Sequence, residues 1–310
     1  MVNCLRKEPG GEIVRAVIIQ DTNAPKFALD NPLYSQQLQL DHPINILQGG
    51  QWGTYRHLPL PPPNPKLSYH AYANQLVRGD LSSIKWLEGP IKPMDRPDEQ
   101  ICTAYAALNF KDVMVATGRI GEEVICQKEN TNATHSFLGF EFSGVKATGE
   151  RIMGFLSVCG ISNIYYPEVN ISWTVPDHWS LEDACTVPAV YGTVCYALYI
   201  VDQMRKGEKI LIHSGSGGVG QAAIHLALQE GLEVFTTVGT PEKRRFIRER
   251  FPSIDDDHIG NSRDLSFEHM IMQQTKGRGV DIVLNSLSEE KLLASVRCLA
   301  RHGRFIEIGK

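Results

Sequence analysis

A glycine-rich segment, placed between an apolar run and an amphipathic run, limits the folds open to this 310-residue chain. It follows the apolar residues 209–213 and precedes residues 221–228, whose apolar side chains recur with helical periodicity. Glycines spaced G-x-G-x-x-G between a strand and a helix are typical of a turn that holds a dinucleotide pyrophosphate at the helix N-terminus. A plain glycine loop is the alternative, but its glycines would weaken it through chain entropy. We therefore predict cofactor contacts at Gly215, Gly217, Gly218, Val219 and Gly220.

The sequence around this turn alternates between strand-like and helix-like runs. Four short apolar runs, at residues 209–213, 234–238, 281–285 and 304–308, are separated by helical patterns. Such alternation predicts a parallel sheet covered on both faces, which is the Rossmann doubly wound arrangement, over residues 190–310. Within it, Ser288 is predicted to begin a helix. The residues expected to be buried by that helix are Leu292, Leu293, Val296 and Leu299.

Two further regions precede the alternating one. Residues 67–189 carry short runs of β-branched and apolar residues interrupted by Gly and Pro, which predicts a compact, mostly β domain. The proline-rich residues 58–65 favour an extended linker. Residues 1–66 are too few for a typical domain and contain a strand-like run at 13–19, so we interpret them as a remnant of a preceding structural region.

The choice of nucleotide depends on the end of the second apolar run. NAD sites usually carry Asp or Glu there to bind the ribose 2′-hydroxyl. This chain has Gly239 and Thr240 instead, followed by Lys243 and Arg244, with Arg263 as a weaker candidate further on. Cations without an acid favour a 2′-phosphate and therefore NADPH, although surface Lys and Arg are also common without any ligand.

Composition and charge narrow the cellular setting. A formal net charge of -4 gives no electrostatic case for binding nucleic acid. No apolar run reaches the roughly 18 residues of a membrane span, and the N-terminus lacks the apolar core of a signal peptide. The seven cysteines are scattered without a C-x-x-C pair, as in reduced cytosolic proteins. We therefore expect a cytoplasmic protein.

The cofactor turn and several other segments resemble the medium-chain dehydrogenase/reductase superfamily, and more narrowly the enoyl reductase region of animal fatty acid synthase. The residues preceding the reductase, V-N-C-L-R-K-E-P-G-G at 2–11, resemble the non-catalytic structural region of that synthase. The other matching segments are H-S-G-S-G-G-V-G-Q-A-A at 213–223, L-N-F-K-D-V-M at 108–114, L-G-F-E-F-S-G at 138–144, V-P-A-V-Y at 187–191 and L-N-S-L at 284–287.

This resemblance implies a GroES-like β domain followed by the Rossmann domain. It implies NADPH-dependent reduction of a trans-2-enoyl thioester carried on acyl carrier protein, within a homodimeric synthase that supplies the other domains. It also implies that Asn285 contacts the cofactor and that Lys310, at the end of the fifth Rossmann strand, is a candidate catalytic proton donor. A family aspartate that is also implicated lies beyond Lys310. The Rossmann sheet of this family has a sixth strand, after which the chain returns to the β domain, so we expect a fragment truncated at the fifth strand.

One departure from the wider superfamily concerns metal. Zinc alcohol dehydrogenases carry Gly-His-Glu where this chain has Gly139, Phe140 and Glu141, and a phenylalanine cannot ligate a metal. No cysteine cluster replaces the structural zinc. We therefore expect no metal site, with the substrate polarised by hydrogen bonds or a cation.

Two alternatives stay open at this point. The chain could be a stand-alone zinc-independent quinone or enoyl reductase of the same superfamily. It could also be an inactive fragment that only binds the cofactor.

Overall fold

A computed structural model describes residues 2–55, 64, 66–93, 99–121, 138–156, 160–166 and 171–309. The chain divides into two compact units, Met1–Leu67 and Ser68–Lys310. The domain boundaries predicted after residues 66 and 189 stay predictions, although the first lies next to this division. None of the helices in the described ranges combines the length and the apolar character needed to cross a membrane.

The first unit is a small three-stranded sheet with one substantial helix. Its elements are α1 (Val2–Leu5), a 3₁₀ turn (Gly11–Ile13), β1 (Ala16–Ile19), α2 (Pro32–Gln39), β2 (Ile44–Gln48) and β3 (Gln51–Gly53). β1 and β2 pair in parallel, and β3 adds antiparallel to β2. α2 begins where the Asn31 side chain accepts the Leu33 amide and Pro32 takes the first helical position. The predicted strand at 13–19 is shorter than expected because the 3₁₀ turn occupies its first residue.

The second unit begins with antiparallel strands. Its first elements are β4 (Ala71–Gln75), a 3₁₀ turn (Leu81–Ser83), β5 (Ile84–Glu88), β6 (Ile101–Ala106), α3 (Phe110–Ala116), β7 (Glu141–Lys146), β8 (Arg151–Phe155), β9 (Ile164–Tyr165), β10 (Ser172–Thr174) and α4 (Leu181–Cys185). β4 and β5 form a hairpin, while the other five strands form a sheet in the order β10-β8-β7-β6-β9. Ile101, Phe142 and Ile152 are buried in its core. The predicted β domain is confirmed in this architecture.

The remainder of the second unit is a parallel sheet with helices. Its elements are α5 (Pro188–Cys195), a π-helical continuation (Tyr196–Val201), β11 (Lys209–Ile212), α6 (Gly218–Gln229), β12 (Glu233–Val238), α7 (Pro241–Arg250), a 3₁₀ turn (Asp256–His258), β13 (Ile259–Asn261), α8 (Ser266–Gln274), β14 (Val280–Asn285), α9 (Glu289–Arg297) and β15 (Leu299–Glu307). The strand order is β13-β12-β11-β14-β15 and every pairing is parallel. This is the order of the first five strands in the doubly wound fold.

Burial explains why the central strand reads as a continuous apolar run. Ile210, Leu211 and Ile212 are all 0 % exposed, because one face of β11 packs under α6 while the other packs under α8. Next to the start of β11, Arg304 of β15 donates hydrogen bonds to the carboxylates of Asp202 and Glu208, at 2.7–3.1 Å. This network fixes β15 to the loop that enters the sheet.

The fifth strand of the predicted sheet, which the four apolar runs did not locate, is β13, with only three residues at the sheet edge. The predicted buried face of α9 was wrong for two of its four residues. Ala294, Ser295 and Cys298 face the sheet, whereas Leu293 and Val296 are 57 % and 45 % exposed. The predicted face followed the larger side chains, whereas the buried positions of α9 are occupied by the small residues Ala294 and Ser295.

Candidate active site

The glycine-rich segment forms a tight turn between β11 and α6, here called the cofactor turn (residues 214–220). Its left-handed residue is Ser214, with φ 56°, and the Gly217 amide donates to the Ser214 carbonyl at 2.8 Å. Gly215 is required for a different reason, since a Cβ there would collide with Thr236 Oγ1 in β12. The lack of a side chain at Gly215 therefore lets the turn approach the second strand.

The other glycines shape the start of α6 for a phosphate. A Cβ at Gly220 would collide with the Ser214 carbonyl and lie 2.7 Å from Gly215 Cα, so only glycine brings the helix this close. A Cβ at Gly217 would meet only the Ser214 carbonyl, at 3.3 Å, which leaves its outer side open. The first amides of α6, including those of Gly218 and Val219, lack helical partners and carry the positive end of the helix dipole. These features fit the pyrophosphate of a dinucleotide.

A buried histidine supports the cofactor turn from below. His213 is 3 % exposed, and its ring lies 2.9 Å from Thr237 Oγ1 and 2.8 Å from Ser295 Oγ. Because the Ser295 hydroxyl donates to the Lys291 carbonyl at 2.7 Å, it accepts from Nε2–H. Nδ1 then accepts from Thr237, and the ring is neutral. Burial lowers the pKa of His213 to about 4.

The end of β12 lies under an arginine. A Cβ at Gly239 would lie 2.9 Å from Arg263 Nε, so the absence of a side chain there gives the guanidinium room against the strand tip. Thr240 caps α7 by accepting the Lys243 amide, and the Lys243 side chain is exposed. Among the described residues, neither Arg263 nor Lys243 has an ion-pair partner. The structure thus places Arg263, the weakest sequence candidate, beside the strand tip at which NAD sites carry an acid.

Arg244 does not share this position. Its guanidinium donates to the Asp256 carboxylate at 2.9 Å and to the carbonyls of Asp256 and Ile259 at 2.5 Å. These bonds join α7 to the start of β13. These bonds use three of the five N–H donors of Arg244, and its contact with the cofactor stays a prediction.

Asn285 is also turned into the protein. Its side chain is 0 % exposed and donates to the Leu287 carbonyl at 2.8 Å and to Glu307 Oε2 at 2.7 Å. Its Oδ1 accepts the Leu287 amide at 3.3 Å. The contact with the cofactor that the resemblance implies for Asn285 stays a prediction. Asn285 joins the carboxyl ends of β14 and β15 beside the cofactor turn.

A hydrogen-bond network joins the matching segments of the β domain to α5. Asp112 accepts the amides of Asn109 and Gly139, both at 2.8 Å. Glu141, only 2 % exposed, accepts from Asn109 Nδ2 at 2.7 Å and from the Ala189 amide at 2.6 Å. Burial raises the pKa of the Glu141 carboxyl, an effect partly offset by these two donors. Sequence reasoning assigned no role to this network, although all its members lie in the resembling segments.

The same network reaches the cofactor turn through the next residue of α5. A Cβ at Gly218 would lie 3.0 Å from Val190 Cγ1, so Val190 packs directly on the start of α6. On the other side, Lys111 Nζ lies 4.7 Å from the centroid of the Phe140 ring. The β domain and the cofactor turn therefore meet around α5, which makes this the candidate active site.

The carboxyl end of β15 converges on the same place. A Cβ at Gly309 would lie 3.1 Å from Ser286 Cα, and the Ser286 hydroxyl lies 3.2 Å from that of Ser214 in the cofactor turn. Lys310, the predicted proton donor, lies outside the described residues. Its role stays a prediction.

Phe140 occupies the position at which the resemblance places a zinc-ligating histidine. Its ring stacks on Phe155 with centroids 6.3 Å apart and an interplanar angle of 10°. Within the described ranges, no group of three or more His, Cys, Asp or Glu side chains could hold a metal ion. Absence of zinc from the purified protein stays a prediction.

Two family models match parts of the chain. Residues 1–60 match the pseudo-KR domain of fatty acid synthase. Residues 218–310 match the zinc-binding dehydrogenase family, whose description names a metal that Phe140 cannot ligate.

Curated relatives include large fungal synthases. Highly reducing polyketide synthase frbB of Dothideomycetidae sp. (strain 11243) is 38 % identical over 76 % of this chain and 9 % of its own length. Lovastatin diketide synthase lovF of Aspergillus terreus is 38 % identical over 71 % of this chain and 9 % of its own. The chain thus spans about a tenth of these relatives. The prediction of a synthase region is supported, but these two relatives are polyketide synthases rather than animal fatty acid synthases.

Solved structures resemble about three quarters of the chain in fold. The CurK enoyl reductase has a TM-score of 0.71 and 32 % identity, covering 78 % of this chain and 74 % of its own. The CurF ER cyclopropanase has a TM-score of 0.69 and 26 % identity, with coverage of 78 % and 74 %. The mycobacterial protein Rv1454c, described as complexed with NADPH, shares the fold at 21 % identity and a TM-score of 0.62. The predicted GroES-like plus Rossmann fold is confirmed, and the chain belongs to the enoyl reductases of the medium-chain dehydrogenase/reductase superfamily, in the branch found within multidomain synthases.

Proposed function

We propose that this chain is the enoyl reductase of a fatty acid synthase, which reduces trans-2-enoyl thioesters on acyl carrier protein with NADPH. The observation that carries the proposal is the succession of two segments in one chain. A segment matching the fatty acid synthase pseudo-KR domain precedes an enoyl reductase. The other synthase domains, acyl carrier protein and a second copy of the synthase are its proposed partners, and the cytoplasm is its proposed location.

The cofactor residues support NADPH. The α6 N-terminus and the open side of Gly217 would hold the pyrophosphate, while Arg263 and Lys243 would bind the 2′-phosphate. NADPH, when bound, supplies the hydride that the reaction requires. The position of Arg263 against Gly239 would make the site selective, because a carboxylate for a ribose hydroxyl is absent there.

The rest of the reaction falls to residues of the chain. Addition of hydride to the β-carbon leaves negative charge on the thioester oxygen, and a proton must then reach the α-carbon. The protein must align the two reactants and stabilise that oxygen. Lys310 is the proposed source of the proton, with a bound water as the alternative.

A second candidate function has its own support. Fungal reducing polyketide synthases such as frbB and lovF are 38 % identical over about three quarters of this chain. A polyketide synthase would use the same enoyl reduction in only some of its extension cycles.

Product analysis of the full-length parent protein separates these candidates. Supplied with acetyl and malonyl thioesters and NADPH, a fatty acid synthase should release fully saturated straight-chain acids. Products that retain hydroxyl groups or double bonds would favour the polyketide synthase. Reduction of the crotonyl thioester of N-acetylcysteamine tests the shared step directly. If the protein reduces quinones but not this thioester, the enoyl reductase proposal is wrong.

A further inference from the structure

Lys111 lies at the candidate active site, and no acidic side chain among the described residues forms an ion pair with its ammonium group. Its ammonium rests on the Phe140 ring, with Nζ 4.7 Å from the ring centroid. Among the described residues it forms no ion pair. The nearest acid in sequence, Asp112, already accepts the amides of Asn109 and Gly139 with its two oxygens.

The surroundings of Lys111 disfavour a cation. The side chain is only partly exposed, and it follows the N-cap Asn109 by two positions, in the first turn of α3. A positive charge in a first turn opposes the helix dipole. Burial lowers the pKa of the Lys111 amine, and Asp112 offsets only part of that effect. Perturbed, poorly paired charges of this kind are concentrated at functional sites.

The position of Lys111 relative to the cofactor turn suggests what it serves. Glu141, the residue after Phe140, is hydrogen-bonded to the Ala189 amide, and the next residue of α5, Val190, packs on Gly218. Lys111 is therefore held on the part of the β domain that adjoins the start of α6.

Exposed apolar residues flank this cation in sequence. Leu108 and Phe110, in the same segment, are 78 % and 72 % exposed. A segment that presents exposed apolar side chains and a cation with free donors suits a ligand that has a hydrocarbon chain and a polarisable oxygen.

We propose that Lys111 is a catalytic residue whose ammonium donates a hydrogen bond to the thioester oxygen of the substrate and stabilises the negative charge that develops there. Lys111 thereby takes the role that a metal ion would have in polarising the substrate. A metal cannot be held here through position 140, because Phe140 has no ligand atom. The inference rests on the proposed function. No proton needs to leave Lys111, because the enolate oxygen only accepts its hydrogen bond.

The test uses the full-length synthase, NADPH and the crotonyl thioester of N-acetylcysteamine. Lys111→Met keeps an unbranched stem on Phe140 but removes the charge. It should lower kcat about 100-fold or more, the usual effect of losing one preorganised donor. The Kd for NADPH, measured by fluorescence, should change less than about twofold, because Lys111 is not assigned to the pyrophosphate or 2′-phosphate sites. Lys111→Arg should retain part of the activity.

Chemical rescue distinguishes catalysis from structure. In Lys111→Ala, added ethylammonium should restore kcat at least about tenfold in a saturable manner, because the vacated space admits a small cation. Lys85→Ala, which alters an exposed lysine of β5, serves as the matched control and should show neither loss nor rescue.

Two results would overturn the inference. One is wild-type kcat in Lys111→Met. The other is a parallel loss of kcat and NADPH affinity in Met, Arg and Ala variants without rescue, which would indicate a structural role. A wild-type protein that fails to reduce the thioester would instead refute the proposed function, so the two failures are distinguishable.

Discussion

Acidification should destabilise the protein through His213, the buried ring beneath the cofactor turn. The ring is 3 % exposed and already bonded at both nitrogens as a neutral group. In the unfolded chain its pKa returns to the ordinary 6.5, whereas burial holds it at about 4 in the folded state. As the pH falls from 6.5 toward 4, the unfolded state takes up a proton that the folded state does not. The stabilisation is therefore complete above 6.5 and is lost through this window.

The size of this loss in stability follows from the difference between the two pKa values of His213. Each unit of difference between the pKa values of the folded and unfolded states corresponds to about 1.36 kcal/mol in the free energy of unfolding. Between pH 7 and pH 4 the His213 contribution to the free energy of unfolding should thus fall by about 3 kcal/mol.

Urea unfolding at several pH values, followed by tryptophan fluorescence, measures this free energy. Other groups titrate in the same range, so the decisive quantity is the difference between wild type and His213→Gln at each pH. That difference should shrink by about 3 kcal/mol on acidification, because the variant lacks the titrating ring. His269→Gln, which alters an exposed histidine of α8, is the control. The reasoning fails if wild type and His213→Gln show the same pH dependence.

Four further outcomes are expected. Gly220→Ala should lower NADPH affinity at least about tenfold while circular dichroism stays unchanged, because its Cβ collides with backbone atoms of the cofactor turn. Arg304→Met should lower the free energy of unfolding by roughly 2–3 kcal/mol in urea titrations, since it strands a fully buried carboxylate, and an unchanged midpoint would contradict this. Arg263→Ala should weaken NADPH binding relative to NADH by about 1.5–3 kcal/mol, and Lys243→Ala by less; equal losses for both nucleotides would move the 2′-phosphate elsewhere. Lys310→Ala in the full-length enzyme should reduce enoyl reduction partially and spare NADPH affinity, whereas a wild-type rate would assign the proton to water.

The comparison of Arg263 with Arg244 shows where sequence reasoning about the cofactor site ends. Both residues follow the second strand of the Rossmann sheet, and Arg244 was favoured because it lies nearer in sequence. The structure commits Arg244 to Asp256 and places Arg263 against Gly239. The edge strand β13 brings Arg263 to that position from a later segment of the chain.

By itself, the sequence determined the class of fold and the location of the cofactor turn. Continuous apolar runs such as residues 209–213, followed by glycines and a helical pattern, have few solutions other than a parallel sheet with a dinucleotide turn. The segments that resemble the enoyl reductase region identified the reductase, because this resemblance rests on matching residues at individual positions and needs no knowledge of the fold.

Only the tertiary structure decided which side chains face the site. It turned Asn285 inward, exposed Leu293 and buried Ala294, and brought Lys111 onto Phe140, 29 positions away in sequence. Periodicity reports which positions share one face of an element. The direction of each polar side chain depends instead on partners that the fold supplies from distant segments, and on the space between packed elements, neither of which a local pattern contains.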